Sequence, residues 1–306
     1  MAQAPGGSRR VAAMTAGDSA ATSHLVKALV GGLADLGWVE GRNLRLDIRY
    51  GENDAARFRR LADELLALRP DVFVAGNEPV ARVVASLTKT VPVVVPLGFD
   101  LVSSGLVRSL ASPGGNVSGF SIMGYETMPK RLALLKEAVP GLTRLVLMHR
   151  PGDANLERVR SLLEEPARKL GLTIVLGEVR DAADLERGFE RAAGEKAGGI
   201  VLAQDSFFFQ HRGRVSELAI KHRMVQYGSG IESARAGFLF SYGPDFAALF
   251  RRSATLVDKI LKGANPANIP VEQASVYELV VNLKTARALG IKLPRSFLLQ
   301  VTQTIE

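Results

Sequence analysis

The sequence predicts an α/β protein of two doubly wound lobes, each a parallel sheet covered by helices, joined by a hinge. Short apolar runs alternate with amphipathic helical patterns along nearly the whole chain, which is typical of parallel, helix-covered sheets. The chain has 306 residues, and a domain size of about 150 residues favours two domains. A glycine-rich turn at 114–116 separates two such alternating series.

The composition, 47% hydrophobic and 23% charged, is that of a globular protein with ordinary cores. No apolar run approaches the roughly 20 residues of a membrane helix, which predicts no stable membrane insertion. The net charge of +8 would suit a nucleic-acid surface, but the basic residues are spread along the chain, as in Arg59-Arg60 and Arg251-Arg252. We therefore expect solvated helix faces and no nucleic-acid partner. The absence of cysteine excludes a disulfide framework and thiolate metal sites.

The first series predicts four strands, of which 43–50 alternates strictly, as a half-buried edge strand should. Asp54 is a predicted N-cap for the helix that follows this strand. The predicted strands are 11–14, 43–50, 72–75 and 91–95; the helical stripes are Leu25, Leu29, Leu33 and Leu36, then Phe58, Leu61, Leu65 and Leu68, then Val80, Val83, Val84 and Leu87. The apolar-small alternation over 117–121 predicts an exposed strand that forms the first passage between the lobes.

The second series begins with a helix over 131–139 and continues as strands and helices of similar length. The predicted strands are 144–148, 172–176, 199–203, 224–227 and 238–241, and the predicted helices are 153–170, 182–194, 209–222 and 230–236. Pro244 then opens another helix, which Lys262-Gly263 ends, and the prolines at 266 and 270 predict a stiff connector.

These elements predict three parts of the chain. Residues 1–8 are a flexible N-terminal tail, 9–118 and 244–272 form lobe 1, and 119–243 and 273–306 form lobe 2. The first seven residues lack the charged and apolar regions of a signal peptide and resemble the start that cleavage at a small-residue site leaves. This favours an exported precursor whose leader has been removed, and a plain cytoplasmic start is the alternative.

No catalytic signature is present in the sequence. The four histidines, His24, His149, His211 and His222, lack metal-ligand spacing, and there is no G-x-S-x-G elbow. Neither a phosphate-binding loop nor a G-x-G-x-x-G turn occurs, so no nucleotide cradle is predicted. The run Phe207-Phe208-Phe209 is more typical of core than of base stacking. An enzyme remains only the default alternative for an α/β fold.

Polar side chains recur where the predicted strands end. In a parallel sheet these ends meet at one edge, where small ligands bind. The polar tips are 17–19, 77–78, 98–100, 149–150, 204–206, 228–229 and 241–242. Each tip alone would serve as an N-cap or a turn, but seven together favour a binding site for one small solute between two lobes.

Several long segments resemble one family. The segment 241–273, SYGPDFAALFRRSATLVDKILKGANPANIPVEQ, looks like a signature of ABC-transporter substrate-binding proteins of the type I periplasmic class. The segments 109–121, 129–140, 207–212 and 277–291 are similar to further parts of the family, and the resemblance covers about 26–306. One branch of this family is linked to tryptophan and tyrosine uptake.

The resemblance implies a non-catalytic, periplasmic protein that captures a small molecule in the cleft between its lobes and closes by a hinge. Its partners would be an ABC permease and its ATPase subunits, and the protein would be a monomer without a cofactor. A ligand-sensing core of a lac-repressor-like regulator shares this fold, but such a regulator needs a helix-turn-helix module before the first strand, where about eight residues stand.

Two tips depart from the family pattern, because Asn77-Glu78-Pro79 and Phe99-Asp100-Leu101 stand where Gly-Thr-Pro and Gly-Asp-Pro are common. We predict an aromatic or apolar amino acid as the ligand, with its ammonium group held by Asp100 and Glu78. Apolar walls would come from aromatic side chains, and a carboxylate would be held by hydroxyl and amide groups and by helix starts. The predicted ligand-binding side chains are Asp18, Ser19, Asn77, Glu78, Phe99, Asp100, Gln204, Asp205, Ser206, Phe207, Ser229 and Tyr242.

Overall fold

A computed structural model of the protein describes residues 7–306. The predicted tail lies mostly outside the described residues, as does the start on which the leader interpretation rests. The strands are β1 (Arg9–Thr15), β2 (Leu44–Tyr50), β3 (Val72–Ala75), β4 (Val93–Gly98), β5 (Val117–Ser121), β6 (Arg144–His149), β7 (Thr173–Glu178), β8 (Gly199–Leu202), β9 (Val225–Gly228), β10 (Phe240–Gly243), β11 (Glu272–Gln273), β12 (Glu278–Asn282) and β13 (Gln303–Ile305). The helices are α1 (Ser19–Asp35), α2 (Ala55–Ala67), α3 (Glu78–Leu87), α4 (Met128–Ala138), α5 (Leu156–Lys169), α6 (Leu185–Gly194), α7 (Ser206–Gln210), α8 (Arg212–Lys221), α9 (Ile231–Arg235), α10 (Phe246–Leu261), α11 (Leu283–Leu289) and α12 (Arg295–Leu298).

The chain divides into two compact units. Unit 1 comprises the chain up to Met123 together with Phe246–Ala274. Unit 2 comprises Gly124–Asp245 and Ser275–Glu306. Residues 119–123, which we expected in the second lobe, therefore belong to unit 1. The reason is that β5 pairs with β4 along its length and continues the sheet of unit 1.

Unit 1 contains a parallel sheet of six strands in the order β11-β5-β4-β3-β1-β2. The predicted edge position of 43–50 is confirmed, since β2 ends the sheet. The central strands β3 and β4 are buried at every position, because parallel strands are covered by helices on both faces. Of these helices, α1 packs against α10 and α2 packs against α3.

The prediction of an exposed strand at 117–121 is wrong, because all five residues of β5 are buried. The strand lies between β4 and the short strand β11, and Ser118 donates its hydroxyl hydrogen bond to the Ile269 carbonyl at 2.8 Å. The connector after α10 is likewise more structured than expected. It contains a 3₁₀ turn over Pro266–Asn268 and then β11 itself.

Unit 2 contains a sheet of seven strands in the order β13-β12-β10-β9-β8-β6-β7. Five of them, β6 to β10, form the predicted parallel series, while β12 runs antiparallel to β10 and β13 parallel to β12. The pairing of β12 and β13 onto this sheet was not predicted. The helix expected over 209–222 is divided into α7 and α8 at His211.

The core of unit 2 is formed by the strands and the helices that cover them. Phe189, Phe208 and Phe238 are among its largest fully buried side chains, each exposed by 2% or less. The triple-phenylalanine run lies at α7, with Phe207 and Phe208 in this core and Phe209 half-buried. The structure thus confirms core packing for two residues of the run. No helix within residues 7–306 combines the length and the apolar character needed to cross a membrane.

Candidate functional site

Within residues 7–306, the strand order of each unit reverses at one point. In unit 1 the chain adds β2 on one side of β1 and β3 on the other, and in unit 2 it adds β7 on one side of β6 and β8 on the other. Open α/β sheets bind ligands at such a switch point, outside the carboxyl ends of the two diverging strands. The residues that follow β1 and β3, and those that follow β6 and β8, are therefore the first candidates.

At the switch point of unit 1, two predicted site residues are helix caps. The Asp18 carboxylate accepts a hydrogen bond from the Ala21 N–H at 2.7 Å, and the side-chain Oδ1 atom of Asn77 accepts one from the Val80 N–H at 3.3 Å. Ser19 is the first residue of α1 and is exposed. The helices α1 and α3 thus begin on either side of the switch point, with their N–H groups directed towards this edge of the sheet.

Glu78 is bound within its own unit. Glu78 is only 8% exposed, and its Oε2 atom accepts a hydrogen bond from the Asp100 N–H at 3.0 Å. The other oxygen pairs with Arg82 at 3.2 Å. Since both oxygens already accept hydrogen bonds, Glu78 positions the residues after β4.

Asp100 and Phe99 follow β4 and are both half-buried. The Asp100 Oδ1 atom accepts the Ser103 N–H at 3.0 Å and so closes a turn. Asp100 therefore has a local structural function, which the sequence offered as its alternative.

In unit 2, Asp205 follows β8 and caps α7, where its Oδ1 atom accepts the Phe207 N–H at 2.7 Å. Burial raises the pKa of the Asp205 carboxyl above its ordinary range, while its hydrogen bond from Phe207 and the charge of Arg150 act in the opposite direction. Gln204 and Ser206, on either side, are half-buried. This tip places a carboxylate in a poorly solvated position.

Arg150 follows β6 and lies across the same switch point. Its guanidinium carbon is 4.9 Å from the centroid of the Phe207 ring, a cation–π arrangement. The His211 ring contacts the Phe207 ring with a centroid distance of 4.6 Å. Arg150 belongs to the polar tip 149–150 but is not among the predicted ligand-binding side chains. Its contact with Phe207 depends on two strands that are far apart in sequence.

The last two tips of unit 2 are close to each other. Ser229 follows β9, and a Cβ atom on Gly243 of β10 would overlap the Ser229 carbonyl oxygen. Tyr242 is half-exposed and stacks on Tyr277 with a centroid distance of 5.7 Å and an interplanar angle of 26°. Glycine at 243 is therefore required for the close approach of these two tips.

Arg131 on α4 is a buried polar residue of unit 2 that we did not predict as such. It is 0% exposed, its Nε donates to the Tyr242 carbonyl at 2.7 Å, and its Nη1 donates to the Gly124 carbonyl at 3.0 Å. Burial lowers the pKa of the guanidinium from 12.5 to about 10. Burial also raises the pKa of the Tyr227 hydroxyl beside it. The sequence contained a signal, because Arg131 is four residues before Leu135 and so shares the apolar stripe of α4.

Within residues 7–306 no cluster of three or more His, Asp or Glu side chains is arranged to hold a metal ion. The strand ends of unit 1 present helix starts and capping side chains, and those of unit 2 present a capping carboxylate, aromatic rings and the Arg150 guanidinium. Such groups are suited to binding a small polar molecule with an apolar portion.

The two units define the class of protein. Two doubly wound units with polar switch points are the architecture of the type I periplasmic binding proteins, and solved structures share it. The leucine-binding protein LivK from Thermotoga maritima aligns with a TM-score of 0.63 at 12% identity, covering 83% of this chain and 83% of that one. The predicted fold class is confirmed.

The relatives are more specific. The family described as "ABC transporter substrate binding protein" matches residues 10–305, so this chain belongs to that family. A tyrosine-binding protein from Clostridioides difficile (strain R20291) is 25% identical over 266 residues, which are 87% of this chain and 76% of that protein. A conserved domain protein from Vibrio cholerae aligns with a TM-score of 0.89 at 28% identity, covering 97% of this chain and 100% of that one. The ABC domain in complex with L-Trp from Streptococcus pneumonia aligns with a TM-score of 0.87 at 24% identity over the same shares.

The family membership confirms the resemblance inferred from the sequence. The family consists of extracytoplasmic solute-binding proteins that bind small ligands. The twelve predicted ligand-binding side chains remain a prediction.

Proposed function

We propose that this chain is the extracytoplasmic solute-binding subunit of an ABC importer, and that it binds an aromatic or apolar amino acid at the carboxyl ends of its two sheets. The observation that carries the proposal is the presence of one polar switch point in each unit of a chain that belongs to a substrate-binding family. A tyrosine-binding relative and an L-Trp complex among the similar structures support the ligand class.

The chemistry of the tips fits an amino acid. The half-buried aromatic side chains Phe99 and Tyr242 offer apolar contact area, and carboxylates follow β4 and β8. The N–H groups at the starts of α1 and α3 favour an anionic group. The partners would be the permease and the ATPase subunits, and the protein would act in the periplasm as a monomer without a cofactor or catalysis.

The test is thermal unfolding of the purified protein with a panel of L-tryptophan, L-tyrosine, L-phenylalanine, L-leucine, aromatic acids and nucleosides. A ligand that binds only the folded state at 100 times its Kd stabilises it by about 2.7 kcal/mol. We expect a shift with at least one amino acid and recovery of that ligand unchanged by mass spectrometry. A panel in which no amino acid binds, or in which the bound compound is converted, would contradict the proposal.

Asp100 provides a matched pair of variants. Asp100→Asn keeps the oxygen that accepts the Ser103 N–H and removes the charge, whereas Asp100→Ala removes both. If Asp100 holds an ammonium group, both variants lose affinity, because hydrogen bonds to charged groups contribute about 1.5–3 kcal/mol each. If Asp100 only closes the turn, Asp100→Ala loses about 1 kcal/mol of stability and both variants keep the affinity of the parent.

A further inference from the structure

Among the described residues, the cation at the switch point of unit 2 has an aromatic contact but no hydrogen bond and no ion pair. Arg150 directly follows β6, and Asp205 follows β8, so the two residues stand at the ends of the two diverging strands. β6 and β8 are paired neighbours in the sheet, with Met148 opposite Leu202. Their carboxyl ends are therefore adjacent, and this is the place in unit 2 where the topology favours a ligand.

The flat face of the Arg150 guanidinium contacts an aromatic ring, whereas its N–H groups have no acceptor among the described residues. The guanidinium lies over the Phe207 ring, and Phe207 is itself only 4% exposed and packed in the core of the unit. The Nε atom is buried and has no hydrogen-bond partner among the described residues. Residues 7–306 give the guanidinium neither a hydrogen bond nor an ion pair.

This arrangement differs from that of other arginines in the same unit. Arg187 and Arg191 pair with Asp184, and the buried Arg131 donates to two carbonyl groups, although its Nη2 atom has no partner among the described residues. A guanidinium has five N–H donors in a planar fork, and a buried donor without an acceptor is unfavourable. A cation that is oriented by an aromatic ring but lacks an acceptor is preorganised for an anionic group from outside the unit.

We infer that Arg150 is the residue that binds the carboxylate of the ligand, through the terminal N–H groups of a guanidinium whose face stays on Phe207. The inference rests on the proposed function and deepens it, because it assigns the ligand a carboxylate and names the group that recognises it. The planar fork of arginine matches a carboxylate with two parallel hydrogen bonds, which a lysine at this position could not provide. The neighbouring Asp205 carboxylate places a negative charge, opposite to that of Arg150, next to the same site.

Calorimetric titration of the parent, Arg150→Met and Arg150→Lys tests the inference. The probes form matched sets: L-tryptophan and L-tyrosine, the amines tryptamine and tyramine, which lack the carboxylate, and indole-3-propionate and 3-(4-hydroxyphenyl)propionate, which lack the amine. We expect Arg150→Met to weaken every carboxylate probe about 10- to 100-fold. The affinity for the two amines should be unchanged, and Arg150→Lys should recover part of the lost affinity.

Arg144→Met is the matched control. Arg144 begins the same strand at its amino end, is half-buried and pairs with Glu195 at 3.7 Å, so it lies away from the carboxyl edge. We expect this variant to bind all the probes like the parent. The midpoint of thermal unfolding of each variant without probe shows that it is folded, and Arg150→Gln replaces Arg150→Met if the latter is not.

Three outcomes would overturn the inference: a parent that binds no carboxylate probe, an Arg150→Met variant with the affinity of the parent for carboxylates, or an equal loss for the amines. The proposed function is judged separately by the same titrations. A parent that binds the propionates but neither amino acid would contradict the amino-acid proposal, while loss of propionate binding in Arg150→Met would still support the function of Arg150.

Discussion

Replacement of Arg131 tests how a buried guanidinium without a carboxylate partner contributes to the stability of unit 2. Arg131 is 0% exposed and donates two hydrogen bonds to carbonyl groups. Each hydrogen bond from a charged donor contributes about 1.5–3 kcal/mol, so the pair contributes about 3–6 kcal/mol. The cost of the buried charge is read from the lowering of its pKa from 12.5 to about 10. At 1.36 kcal/mol for each pKa unit this is roughly 3 kcal/mol.

The two magnitudes predict a moderate net effect. Arg131→Met removes both hydrogen bonds and also removes the cost of the charge, so it should lower the free energy of unfolding by about 2 kcal/mol. Arg131→Lys keeps a buried and more strongly hydrated charge and can reach at most one of the two carbonyls. It should therefore be at least as destabilising as Arg131→Met, although it is the more conservative change.

The Lys variant has a further signature in its pH dependence. Burial of its ammonium group would place the pKa in the folded protein below the ordinary value of about 10.4. The unfolded chain then binds more protons than the folded one between these two values, so the stability of Arg131→Lys should rise with pH in that window. Arg131→Met has no such group and should not show this rise.

Urea denaturation at about pH 7 and at about pH 9.5 measures both effects. Arg144→Lys is the control, because Arg144 is half-buried and its single ion pair is worth less than about 1 kcal/mol. The reasoning is refuted if Arg131→Lys is as stable as the parent, or if its stability falls with pH relative to Arg131→Met. A loss of more than about 5 kcal/mol in Arg131→Met would show that the burial cost is overestimated.

Two further predictions concern carboxylates at the strand ends. Glu78→Ala leaves the Asp100 N–H without its acceptor and should lower the free energy of unfolding, measured by chemical denaturation, by about 1–3 kcal/mol. Glu78→Gln keeps an acceptor and should lower it by less than about 1 kcal/mol. Equal losses in the two variants would contradict this assignment. Asp205→Asn keeps the cap on the Phe207 N–H but removes a carboxyl whose pKa burial raises above the ordinary value of 3.8. Because the folded parent then binds more protons than the unfolded chain, its stability should fall relative to Asp205→Asn as pH rises from about 4 to 7. Thermal unfolding across that range checks the sign, and a parent that gains stability relative to the variant would refute it.

Much of the fold follows from local patterns in the sequence. The strands of the two parallel series and most of their helices were predicted, because hydrophobic period and turn chemistry act within a few residues. The same holds for the cap at Asp54, which accepts the Ala56 N–H at 2.9 Å as expected. The family was also accessible, since the segment 241–273 and four others carried its resemblance.

The sequence predicted at which strand ends the candidate side chains would stand. Every predicted ligand-binding side chain lies at or just after the carboxyl end of a parallel strand. What each side chain binds within its unit was not predictable, because caps and ion pairs depend on geometry. Glu78, which we predict to hold a ligand, accepts the N–H of Asp100, which is 22 residues away in the chain.

Local periodicity therefore determined the elements, their order and the α/β class, and the order of strands then implied where the polar tips emerge. Only the tertiary structure decided the contacts that join distant segments. It placed β12 and β13 on the sheet of unit 2, moved the first crossing to 123/124, and brought Arg150 onto Phe207 across 57 residues of sequence. The physical reason is that strand pairing, and the lack of an acceptor for Arg150 within residues 7–306, depend on which surfaces meet, and the hydrophobic pattern along the chain does not specify that.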